Sequence, residues 1–110
     1  MSRLLLDTHT LLWYAQDDAR LPAQTVQAIQ ASGGGCFISR VSLWEVAIKS
    51  SLGKLVLPGD FTGWQAGVQE HGFSLLEITD VHLAALHRLA YVSDHRDPFD
   101  RLLIAQAKRV

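Results

Sequence analysis

The chain has 110 residues, of which 48% are hydrophobic and 19% charged, a composition that fits a packed soluble domain and excludes a disordered or low-complexity chain. A chain of this length can bury about two-thirds of its extended surface, enough for one domain over residues 1–110 and too little for two. Ten Lys and Arg against eleven Asp and Glu leave a net charge of −1, so no global basic field draws nucleic acid, and any contact with RNA or DNA has to be local.

Leu4-Leu5-Leu6 is a short continuous apolar run of the kind found in strands buried on both faces, with Asp7 at its carboxyl end. Leu11, Leu12, Trp13 and Ala15 predict a short helix, and Pro22 opens another that carries Val26 and Ile29 until Gly33-Gly34-Gly35 stops it. Cys36 to Ser39 reads as the second buried strand. A helix is expected from Ser42, with Val46, Ile48 and Leu52 apolar and Gly53 as its stop. Leu55 to Pro58 form a connector. Asp60 caps a helix with Phe61, Trp64 and Val68, and Gly72 ends it. Phe73 to Ile78 is the third strand, and Thr79 caps a helix with Val81, Leu83, Ala84, Leu86 and Leu89. Tyr91 to Arg96 is a polar loop before Asp97-Pro98 starts the last helix, whose Leu102, Leu103, Ala105 and Ala107 need a sheet to pack on. Strands alternating with helices predict an α/β domain with a central parallel sheet.

The only cysteine, Cys36, allows no internal disulfide and no cysteine-rich zinc site, which fits a reducing compartment. Asp7 and His9 interrupt the apolar start, and no later run approaches the roughly 20 apolar residues of a membrane span, so a cytoplasmic protein with no membrane contact is expected.

Ligands of parallel α/β sheets bind beyond the carboxyl ends of the strands. Asp7 follows the first strand, Glu45 lies one turn after the second, and Asp97 and Asp100 open the last helix, so all four acids can converge at one sheet edge. Carboxylates gathered there repel one another unless a cation joins them, and an all-oxygen set selects Mg²⁺ or Mn²⁺ over zinc. Such an ion activates water and neutralises charge on a leaving oxygen, which suits phosphodiester hydrolysis. The same spacings have plainer readings. Ser42 and Glu45 form a capping box, and Asp97 is an N-cap followed by a dipole-favoured acid at Asp100. Arg96 and Arg101 flank the acidic pair and could hold RNA phosphates or pair with neighbouring acids. His9 and His95 could touch phosphate or lie on the surface. Glu45 and Lys49 make an i,i+4 pair worth tenths of a kcal/mol. Neither a P-loop, an HExxH motif nor a serine nucleophile elbow is present, so metal-assisted hydrolysis is the chemistry that remains.

Three segments together, Leu4-Leu5-Leu6-Asp7-Thr8-His9, Ser39 to Glu45 with Lys49 and Gly53-Lys54-Leu55, and His95 to Ala107, resemble the PIN-domain family and within it the VapC-type toxins of bacterial toxin–antitoxin pairs. The resemblance implies a three-layer α/β/α domain and a Mg²⁺- or Mn²⁺-dependent ribonuclease, usually a homodimer, inhibited by a cognate antitoxin. It assigns Asp7, Glu45 and Asp100 to the catalytic metal site, Asp97 to an accessory role, and Thr8 and Ser39 to its support. Relative to that family the chain is expected to stop before a further strand and a fourth acid. This gives a second reading, a catalytically weak or inactive domain that acts only in antitoxin binding or dimerisation.

Overall fold

The computed structural model describes residues 3–90 and 97–107. Three short strands, β1 (Leu4–Leu5), β2 (Cys36–Ser39) and β3 (Ser74–Leu76), form one sheet in the order β1-β2-β3. Both pairings are parallel, with Leu4 beside Cys36 and Ile38 beside Leu75. Parallel neighbours require long crossovers, and helices supply them. Between β1 and β2 lie α1 (Thr8–Ala15) and α2 (Ala23–Ala31), and a 3₁₀ turn at Gly33–Gly35 leads into β2. Between β2 and β3 lie α3 (Arg40–Ser51) and α4 (Phe61–Gln69). Two helices follow β3, α5 (Asp80–Arg88) and α6 (Pro98–Ala107). The expected α/β class and parallel sheet are therefore present.

The elements differ from the sequence reading in two informative places. The third strand is three residues long, shorter than the apolar run Phe73 to Ile78 that announced it. More consequentially, α3 begins at Arg40, because the Ser39 hydroxyl accepts the Val41 N–H at 3.0 Å and acts as the N-cap. Ser42 then lies inside the helix and fully buried. The expected capping box of Ser42 with Glu45 does not form, and the Glu45 side chain is released for other contacts. Further along, Thr79 does cap α5, in a reciprocal box with His82.

Two apolar cores support the sheet. The larger joins Leu6, just after β1, and Cys36 and Ile38 of β2 to Leu11, Ile29, Val46, Trp64 and Val68 from α1 through α4. The smaller joins Val41 of α3 to Leu102 and Leu103 of α6, with Leu86 of α5 packed against them. A polar link ties the smaller core to the sheet. Gln106, fully buried, accepts from the Ser39 hydroxyl and donates to the Glu77 carbonyl at 3.3 Å, so α6 is fastened across the carboxyl ends of β2 and β3. Ser39→Ala removes both this bond and the α3 cap. A loss of about 2 kcal/mol in urea unfolding is expected, and an unchanged midpoint would show that neither bond matters. Among the described residues no helix is long and apolar enough to cross a membrane.

Candidate active site

Because the strands run parallel, the residues that leave them emerge at one edge. Asp7 leaves β1 and becomes the N-cap of α1, where its Oδ1 accepts the Thr10 N–H at 2.8 Å. Capping thus accounts for one of its oxygens, and the residue is exposed at the strand end. Thr8, buried as the first residue of α1, donates its hydroxyl to Glu45 Oε1 at 2.7 Å and shares a second hydrogen bond with Ser42 Oγ at 3.1 Å.

Glu45 is the centre of this arrangement. It is only 4% exposed, and a bare carboxylate at that depth would cost several kcal/mol. Both of its oxygens are engaged: Thr8 holds Oε1, and the Lys49 ammonium donates to Oε2 at 2.6 Å. The spacing of Glu45 and Lys49 suggested a weak surface pair, and burial of the acid makes it a tighter one. The Glu45 hydrogen bond holds the Lys49 ammonium above the ordinary lysine range against the opposing effect of burial, and the charges of Glu45, Asp97 and Asp100 add to the pull. The acids at the start of α6 therefore lie within electrostatic range of the Lys49 ammonium. Packing explains why: the Phe99 ring meets Trp44 edge-on, with centroids 4.8 Å apart, and seats the start of α6 beside α3. Asp97 Oδ1 accepts the N–H groups of Phe99 at 2.8 Å and of Asp100 at 3.3 Å, so Asp97 caps α6 as its spacing suggested.

The family model for the PIN domain matches residues 4–110, nearly the whole chain. The chain belongs to the PIN-domain family. No curated protein and no solved structure matches it. The PIN domain is a nuclease fold often found in toxin–antitoxin systems, and its members typically depend on divalent metals.

The carboxylates of this PIN domain are hard oxygen donors of the kind that divalent cations such as Mg²⁺ or Mn²⁺ take. The arrangement differs from a formed metal site. Among the described residues no three His, Cys, Asp or Glu side chains stand close enough to hold one ion, and Lys49 takes the position beside Glu45.

Of the other expected residues, Ser39 bonds Gln106 and caps the start of α3. Arg101 has a different task from the phosphate contact its position suggested. It is 4% exposed and donates to the Leu89 carbonyl at 2.8 Å and the Ala90 carbonyl at 3.1 Å, which turns its guanidinium to the end of α5. Arg96 and His95 lie outside the described residues. His9 is exposed and packs edge-on to Trp13, with ring centroids 6.2 Å apart. The sequence reading undervalued Lys49 and gave Gln106 no polar role. Lys49 was signalled by its spacing from Glu45, whereas nothing local announces that Gln106 meets Ser39, 67 residues away.

Proposed function

We propose that this PIN domain is a metal-dependent ribonuclease and the toxin of a VapC-type toxin–antitoxin pair. The observation that carries the reading is the buried Glu45, fixed by Thr8 and balanced by Lys49, with the charges of Asp97 and Asp100 converging on the same ammonium. Asp7, Glu45 and Asp100 would hold Mg²⁺ or Mn²⁺, with Asp97 assisting. The ion, when bound, supplies water activation and neutralises charge on the leaving oxygen of an RNA phosphodiester. The chain's own residues are arranged for this. Thr8 fixes the Glu45 carboxylate, Ser39 and Gln106 hold α3 and α6 at the strand ends, and Lys49 balances the charge of Glu45, whose Oε2 would be available to an ion only without that contact. A cognate antitoxin would inhibit by presenting a cation or a covering segment to the same acids. The toxin is proposed to act as a homodimer in the cytoplasm.

The test is cleavage of an end-labelled single-stranded RNA with Mg²⁺ or Mn²⁺. Cleavage that disappears with EDTA and in Glu45→Gln supports the reading, and cleavage unaffected by either overturns the metal role. The contact of Lys49 with Glu45 favours a second reading, a domain that binds its antitoxin or itself without cutting. Calorimetric titration separates the two: Mn²⁺ uptake supports the nuclease, and antitoxin binding without Mn²⁺ uptake supports the binding module.

A further inference from the structure

A net charge of −1 requires any RNA contact to be local, and the structure contains a candidate for that contact. A cleft of about 340 Å³ opens beside Glu45, between α1, α3 and the segment after α3. Among the described residues its charged lining is Arg20, Lys49 and Lys54 against the carboxylate of Glu45. Lys54 reaches it through a backbone turn. Gly53, at φ 74°, ends α3, and the Lys54 N–H donates to the Lys49 carbonyl at 2.9 Å, which folds the chain back toward Lys49. Among the described residues the Lys54 side chain has no hydrogen bond or ion pair. On the other wall stands Trp13, with His9 at its edge and the Arg20 guanidinium 5.2 Å from its ring centroid. Asp18 anchors that guanidinium at 2.8 Å. The pair is mutual: the Arg20 hydrogen bonds pull the Asp18 carboxyl down to about 2.

We propose that this cleft is a nucleotide subsite, which holds one nucleotide of a single-stranded RNA next to the phosphate at the acids. Lys54 meets the neighbouring phosphate, and the Trp13 and Arg20 wall receives the base. The chemistry matches on three counts. Cations beside a flat aromatic are the combination that binds single strands, since every base has a face to stack. The volume lies at the small end of ligand clefts, about 300–1,000 Å³, suited to a splayed-out nucleotide. A base inside a duplex is stacked on its neighbours and cannot lie on such a wall. The inference rests on the ribonuclease reading and adds the path of its substrate.

Anisotropy of a labelled ten-nucleotide RNA, with EDTA present to prevent cleavage, tests it at several salt concentrations. Lys54→Ala is expected to weaken binding about five- to tenfold at low salt and to reduce the salt slope by roughly 0.7, with Lys54→Arg restoring both. Trp13→Leu is expected to weaken binding with the slope unchanged. Because Trp13 is half-buried, the exposed Lys54 pair decides the matter if the tryptophan variant fails to fold. Wild-type affinity and slope in Lys54→Ala overturn the subsite, as does equal affinity for a duplex of the same sequence. Cleavage with Mn²⁺ separates this from failure of the underlying reading. If the wild type cuts RNA and Lys54→Ala leaves KM unchanged, the subsite alone is wrong. If the wild type neither binds nor cuts RNA, both are.

Discussion

Asp7→Asn is expected to reduce metal-dependent RNA cleavage at least about a hundredfold, equivalent to roughly 2.7 kcal/mol of barrier, while leaving the fold intact. The substitution separates the two roles of this residue. As an N-cap, Asp7 accepts the Thr10 N–H through Oδ1, and asparagine caps about as well as aspartate. Only the charge and its second donor oxygen are lost. Unchanged thermal unfolding together with lost cleavage assigns Asp7 to the chemistry, and cleavage at the wild-type rate removes it from the site. Asp7→Ala forfeits the cap as well and should cost about 1 kcal/mol of stability. Comparing the variants therefore reads the capping and catalytic contributions separately.

Arg101→Ala is expected to lower stability by about 3 kcal/mol. The guanidinium is buried and donates to two consecutive carbonyls at the end of α5, where a cation also complements the helix dipole. Truncation loses those charge-assisted bonds and leaves a gap between α5 and α6. Lysine has one ammonium in place of the planar fork and should rescue only part of the loss. Urea unfolding measures the effect. RNA affinity of the folded fraction should be unchanged; full stability with weakened RNA binding would return Arg101 to the role of a phosphate contact.

Much of the fold was legible because the signals were local. Strands announced themselves as apolar runs at Leu4 and Cys36, although β1 is only half-buried, and glycines at 33 to 35 and at 53 marked helix ends. Asp60, Thr79 and Asp97 each cap the helix their position suggested. The boundary of α3 was less legible, since Ser39 and Ser42 are both good caps by composition. Ser39 prevails because the strand ends there and its hydroxyl also reaches Gln106. The error mattered: with Ser42 as cap, Glu45 would have been spent on its own helix start.

The candidate site divides in the same way. Spacing made Asp7, Glu45, Asp97 and Asp100 candidates, since a carboxylate just beyond a parallel strand or at a helix start is a local pattern, and the family resemblance assigned their roles. The sequence also determined that any RNA contact must be local, through a net charge near zero. Only the tertiary structure decided what those acids do to their neighbours. Burial turned Glu45 and Lys49 from a weak surface pair into a close ion pair at 2.6 Å. Packing of Phe99 on Trp44 set Asp97 and Asp100 where their charges act on that ammonium. The end of α5 claimed the guanidinium of Arg101, and the turn at Gly53 brought Lys54 into the cleft beside Glu45. Residue type and spacing set which charges exist and which element carries each, whereas desolvation and distance set what each charge is worth. Those two quantities are fixed only when α3 and α6, far apart in the chain, close on the same end of the sheet.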